Sequence, residues 1–201
     1  MQGLRRILDG NSKFIHHDFP ERLHVYQSLK SSQDPGILLI TCSDSRIVPE
    51  LITGMGPGEL FVARNPGALV PVYSEKTAAG ISASIEYAIV ALGVEDIVVC
   101  GHSDCGAMKA TLNPGTLNGA VAVARWLKYS EPALQKLTEK QLNRSPKRRT
   151  EALTKECSRI QLEHLRSHPS VDRAMQKGIL TLSAAYYDIG TGRISRIAVH
   201  K

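Results

Sequence analysis

Ile37-Leu38-Leu39-Ile40-Thr41-Cys42, running directly into Ser43-Asp44-Ser45-Arg46, is the stretch on which the reading of this chain turns. An uncharged run this rich in aliphatic side chains fits a short strand buried on both faces, because a strand with one wet face alternates polar with apolar residues. The polar breaker 31–36 precedes it. A turn at 54–58 leads to a second strand over 59–64, and 97–100 (Ile-Val-Val-Cys) reads as a third buried strand. Between them, 76–92 reads as a helix carrying Ile81, Ile85, Ala88, Ile89 and Leu92 on one face and stopped by Gly93.

Helical segments follow over 105–128, interrupted by Asn113-Pro114-Gly115, then over 132–142 and 151–166, and Pro169 opens a short helix ending at Gly178. The segments 179–187 and 193–199 read as strands joined by the turn 188–192, too short a link for a parallel pair. Strands alternating with helices predict an α/β fold: a central, mainly parallel sheet of four strands with an antiparallel fifth edge strand, flanked by helices. Residues 1–30 read as a helical N-terminal arm, with Leu4, Ile7 and Leu8 on one stripe, attached to a single domain spanning 1–201.

Composition narrows the function classes. With 201 residues, 42% hydrophobic and 22% charged, the chain is neither a disordered tail nor a small disulfide scaffold. Apolar runs such as 36–40 are far short of a membrane span, and no apolar segment follows Met1-Gln2-Gly3-Leu4-Arg5-Arg6, so no export signal and a cytoplasmic location are expected. The net charge of +6 is concentrated in Arg144, Lys147, Arg148 and Arg149. No aromatic residue lies in that stretch to stack on bases, so it reads as a solvated turn between helices rather than a nucleic-acid surface. Gly54-Met55-Gly56-Pro57-Gly58 precedes a strand instead of joining a strand to a helix, which makes it a turn and not a phosphate loop. His16, His17 and His24 read as surface histidines.

Four cysteines in a chain without an export signal raise metal binding or catalysis before disulfides. Cys100 and Cys157 lie in apolar segments and read as small core residues. Cys42 and Cys105 sit among polar residues, at the ends of two predicted strands, in Cys42-Ser43-Asp44-Ser45-Arg46 and Gly101-His102-Ser103-Asp104-Cys105-Gly106. A parallel sheet delivers both clusters to its carboxyl edge, where α/β proteins place their ligands. Two thiolates and an imidazole suit Zn2+, and three protein ligands leave one tetrahedral corner open, the pattern of a catalytic zinc. The competing readings are unrelated buried thiols, or a redox dithiol of Cys42 and Cys105 that binds no metal. Asp104 reads as solvent-facing or as a helix cap.

The two clusters together resemble those of the beta-class carbonic anhydrases. The likeness extends to Gly58-Glu59-Leu60-Phe61-Val62, Arg64-Asn65, Ser84-Ile85-Glu86-Tyr87-Ala88, Ala107-Met108-Lys109, His168-Pro169-Ser170-Val171 and Tyr186-Tyr187-Asp188, covering roughly residues 30–199. The resemblance implies Zn2+ on Cys42, His102 and Cys105, with water or hydroxide in the fourth position, or Asp44 there in a closed form. It implies an Asp44–Arg46 catalytic dyad, and substrate contacts from Gln33, Phe61 and Tyr87 in a pocket shared across a dimer. The implied activity is reversible hydration of carbon dioxide to bicarbonate and a proton by a zinc-bound hydroxide. The implied assembly is a homodimer or homotetramer embraced by the N-terminal helices, with no membrane or nucleic-acid partner. Hydrolysis of carbonyl sulfide or carbon disulfide at the same metal, and a non-catalytic zinc- or bicarbonate-binding module, are the alternatives; the intact Asp44 and Arg46 speak against the latter. Two departures stand out: Pro66 where the family commonly has a small or branched pocket-wall residue, and Leu39 where one subgroup carries a tryptophan of an inhibitory bicarbonate site with partners matching Arg64 and Tyr186. Without the indole, that inhibitory site is expected to be absent or weak.

Overall fold

The structure is a computed structural model describing residues 2–75 and 80–201, and the chain divides into two compact units, 1–34 and 35–201. The first unit holds α1 (Gln2–Glu21) and α2 (Leu23–Leu29). Phe14, Phe19 and Tyr26 pack edge-on and tilted, with ring centroids 5.2–5.9 Å apart, and so join the two helices. The predicted stripe is present on α1, and Leu4, Ile7, Leu8 and Ile15 are all exposed along it.

The second unit runs β1 (Ile37–Cys42), α3 (Pro49–Thr53), β2 (Leu60–Asn65), α4 (Gly80–Val90), β3 (Asp96–His102), α5 (Gly106–Leu112), α6 (Val121–Leu127), α7 (Glu131–Gln135), α8 (Glu139–Leu142), α9 (Pro146–Arg166), α10 (Pro169–Gln176), β4 (Thr181–Asp188) and β5 (Arg193–His200). The strands form one five-stranded sheet in the order β2-β1-β3-β4-β5, parallel except for the β4–β5 edge pair. This is the α/β architecture expected from the sequence. The predicted helix over 76–92 is seen from Gly80, its first four residues lying outside those described.

Strand alternation assigns the two faces of the sheet. Leu38, Ile40, Ile97, Val99, Leu182 and Ala184 share one face and form the main core with Ile81, Ile85 and Ala88 of α4, Leu162 and Leu165 of α9, and Val171 of α10. Leu39, Cys100, Ala185 and Tyr187 occupy the other face around Ile47. A third cluster lies where the chain leaves the sheet, joining Cys42 and Cys105 to Leu69, Met108, Leu127, Leu153, Cys157 and Ile160.

Two local features differ from the sequence reading. Pro49 starts a helical turn ended by Gly54 in the left-handed conformation (φ 70°), so a short helix precedes the predicted turn. The basic run is not an inter-helix turn, because α9 begins at Pro146 and takes Lys147, Arg148 and Arg149 into its first turn. Ser145-Pro146 is a strong start signal, and three exposed or part-exposed cations there cost too little in water to delay it.

Candidate active site

Register brings the two clusters together. Thr41 pairs with Cys100 in the parallel β1–β3 ladder, so the chain leaves both strands at the same edge of the sheet. Cys42 is the last residue of β1 and His102 the last of β3. Asp104 then adopts a left-handed conformation (φ 59°), turning the chain so that Cys105 stands at the start of α5. The two sulfurs and an imidazole nitrogen lie within 4.8 Å of one another, all buried.

The protonation of this cluster follows from its partners. His102 Nδ1 lies 2.9 Å from the Ser103 carbonyl, which only accepts, so Nδ1 carries the proton and Nε2 is left with a lone pair. Nε2 is fully buried without a hydrogen-bond partner, an expensive arrangement unless that lone pair serves as a ligand. Cys42 receives a hydrogen bond from the Cys105 thiol, and the backbone N–H groups of Gly67 and Asp44 add to it, which holds its pKa well below the usual thiol range against the opposing effect of burial. Cys105 is raised correspondingly by donating to Cys42 and by burial, so without a metal the pair holds one proton between them. Cys100 and Cys157 are pushed up to about 12 by burial and remain inert thiols of the core.

Asp44 stands beside the cluster, its Oδ2 3.9 Å from His102 Nε2. Arg46 Nε donates to Oδ1 at 2.9 Å and Nη2 to Oδ2 at 2.8 Å, and the Arg46 backbone N–H adds a third bond to Oδ1 at 3.0 Å. The side-chain hydrogen bonds from Arg46 hold the Asp44 carboxyl well below the usual carboxylate range, while Arg46 itself is raised by the same contacts. Asp44 is therefore an anion in a fixed pose beside three atoms that could hold a metal ion.

Other residues hold these loops in place, and most were not foreseen. Arg64 donates through Nε to the Cys42 carbonyl (3.0 Å) and through Nη2 to the Asp44 carbonyl (2.7 Å), bracing the loop from the neighbouring strand. Gly67 donates its N–H to Cys42 Sγ at 3.3 Å, and a Cβ there would meet Met108 Cε at 3.0 Å and Ala107 Cβ at 3.1 Å with φ at +85°. Only glycine brings an amide that close. The Asn65 side chain bonds both the N–H and the carbonyl of Leu69, fixing this turn. Beyond it, Gln161 accepts from Val70 N–H at 2.7 Å, while His164 and His168 donate to the carbonyls of Val70 and Pro71. Pro66, the departure noted above, turns its carbonyl to Trp126 Nε1 at 2.9 Å.

Not every expected site residue joins the cluster. Phe61 stacks on Tyr87 of α4 with ring centroids 5.8 Å apart, and it pairs with Leu38, four residues before Cys42. That offset is about 13 Å along the strand, so Phe61 belongs to the other end of β2. Gln33 is exposed within the first unit. Asp104 faces solvent, as expected, and does not cap α5; its exposed carboxylate pairs with Arg46 and Lys109.

This geometry has counterparts of known class. The carbonic anhydrase family profile matches residues 37–194. A carbonic anhydrase of Pseudomonas aeruginosa is 46% identical over 194 residues, covering 96% of this chain and 87% of that protein. Among solved structures, the beta-carbonic anhydrase CcaA matches with a TM-score of 0.91 and 34% identity, over 96% of this chain and 94% of that one. A tetrameric beta-carbonic anhydrase from Sordaria macrospora matches with a TM-score of 0.89 and 28% identity over 100% of both chains. Sequence and fold agree over nearly the whole length, and this chain belongs to the carbonic anhydrase family, in its beta class.

Proposed function

We propose that the protein catalyses the reversible hydration of carbon dioxide to bicarbonate and a proton, with one Zn2+ held by Cys42 Sγ, His102 Nε2 and Cys105 Sγ. The observation that carries the reading is the buried, unpartnered Nε2 facing two cysteine sulfurs within ligand reach of one another. Zinc in such a site supplies a Lewis acid that lowers the pKa of water toward neutrality. Two thiolates offset both charges of the ion, so the positive charge of Arg46 matters more here than it would beside three neutral histidines.

The chain's own residues set the geometry of attack. Asp44, ionised by its pairing with Arg46, accepts a hydrogen bond from the nucleophilic oxygen and turns that oxygen's lone pair toward the substrate carbon. Arg46 holds both oxygens of the Asp44 carboxylate, so Asp44 could serve as a fourth ligand to a bound metal only if the guanidinium released it. Gln33, Phe61 and Tyr87 contact carbon dioxide from a second copy of the chain, and the distance of Phe61 from its own Cys42 favours this arrangement over a pocket within one chain. The exposed aliphatic stripe of α1 supports a homodimer or tetramer. No described helix is long and apolar enough to cross a membrane, in keeping with the cytoplasmic location we assign.

The test is metal analysis combined with stopped-flow turnover of carbon dioxide, carbonyl sulfide and carbon disulfide by the purified protein. About one zinc per chain and a clear preference for carbon dioxide are expected. A metal-free protein, or one faster on a sulfur analogue, would refute the reading.

Metal capture should also be proton-coupled. The free cysteine pair retains one proton, which the ion must displace, so affinity falls as pH falls, by about tenfold per pH unit for each proton released. Competition against a chelator of known affinity, repeated from mildly alkaline to mildly acidic buffer, measures the slope. An affinity independent of pH would contradict the shared-proton assignment.

A further inference from the structure

The Asp44–Arg46 pair is local, formed by residues two apart on one loop, and cannot by itself set where that loop sits relative to His102 and Cys105. A different residue makes that connection. Arg46 Nη1 donates to Asp104 Oδ2 at 3.2 Å and Nη2 approaches the Asp104 carbonyl at 3.4 Å, across 58 residues of sequence. The second carboxylate oxygen of Asp104 pairs with Lys109 Nζ on α5. Asp44, Arg46, Asp104 and Lys109 thus form a row of alternating charges linking the loop that carries Cys42 to the one that carries His102 and Cys105.

The backbone shows how Asp104 reaches this position. Asp104 and Ala68 are the two non-glycine residues with positive φ among those described. The left-handed turn directs both the carbonyl and the side chain of Asp104 at one guanidinium, and aspartate tolerates this conformation better than most residues. With Nε and Nη2 on Asp44 and Nη1 on Asp104, all three guanidinium nitrogens are engaged. A planar fork held on two sides cannot pivot about either one.

We propose that Asp104 is a positioning residue, a tether between the two ligand-bearing loops that fixes Arg46, and through it the Asp44 carboxylate, relative to the metal ligands. The inference rests on the carbonic anhydrase reading of the site and assigns Asp104 no contact with substrate or metal. Its pairs are too exposed to contribute much to folding stability, so its effect lies in the placement of Asp44.

The test is Asp104→Asn in the zinc-loaded protein, with Asp104→Gly as a second variant, since both residue types suit the left-handed backbone. Both are expected to keep the metal and the melting temperature of the parent. They should lower kcat about threefold to tenfold while KM stays within about twofold. The Arg46 Nε–H proton, followed by NMR, should exchange with water faster in both variants, a readout independent of turnover. Unchanged kcat and unchanged Arg46 exchange would overturn the proposal. So would loss of zinc or fold in both variants, which would make Asp104 a determinant of loop conformation alone. Failure of the underlying functional reading would look different, as absence of carbon dioxide hydration in the parent protein.

Discussion

Asp44→Asn is expected to retain its zinc and its fold while losing about a hundredfold or more in kcat for carbon dioxide hydration. The side chains are nearly isosteric, but their hydrogen-bonding capacity is not. Asp44 offers both oxygens to a guanidinium that donates through Nε at 2.9 Å and Nη2 at 2.8 Å. Asparagine has one oxygen and an amino group that can only donate. At either position the amino group opposes one Arg46 donor and the fork opens; at the Oδ2 position, beside His102, it also presents a donor where the nucleophile needs an acceptor. Either orientation removes the anion that balances Arg46, and neither touches a metal ligand. Zinc analysis and stopped-flow kinetics on the same preparation separate these effects. Full turnover with full metal occupancy would remove Asp44 from the mechanism. Loss of the metal would mean that Asp44 shapes the site instead of serving the reaction.

Parts of this site were legible in the sequence for identifiable reasons. A strand buried on both faces reads as an uninterrupted apolar run, which located β1 and β3. A Cys or His at the end of such a run is conspicuous, because little else explains metal-ligand chemistry at a sheet's carboxyl edge. Parallel pairing then brought Cys42 and His102 to one edge. The supporting residues carry no such mark. Arg64 in a strand looks like any solvent-facing cation until the ladder sets Thr41 opposite it and its donors meet the Cys42 and Asp44 carbonyls. Gly67 looks like a turn glycine until its amide is found on a sulfur. Gln161, His164 and His168 bind backbone groups more than 90 residues away, and separation on that scale has no periodicity to betray it. For Asp104 the sequence shows exposure but not the pairing, because its partner Arg46 lies 58 residues away and is brought to it only by the fold.

Gly101→Ala should be among the most damaging single-methyl additions in the second unit. Gly101 lies in β3 between Cys100 and the proposed metal ligand His102, on the face that meets α9. A Cβ built there falls 2.7 Å from both Ser158 Oγ and Thr154 Cγ2, closer than packed atoms approach. Neither neighbour moves freely. Ser158 Oγ is bonded to the Thr154 carbonyl at 3.0 Å, Thr154 Oγ1 to the Thr150 carbonyl at 2.8 Å, and both side chains are buried. Relief therefore requires β3 and α9 to separate, although β3 carries His102 and α9 carries the Gln161 and His164 clamps on Val70. Overpacking of this kind costs about 1–3 kcal/mol, which for a chain of this length lowers the melting temperature by roughly 2–12 °C. Because His102 is the next residue, zinc affinity should weaken along with stability. Pairing the substitution with Ser158→Ala, which removes one of the two obstructing groups, should recover part of both losses. Thermal unfolding and zinc titration of the single and double variants measure the effect. A Gly101→Ala protein as stable and as metal-avid as its parent would show that the β3–α9 contact has room to spare, and that the site does not depend on this close approach.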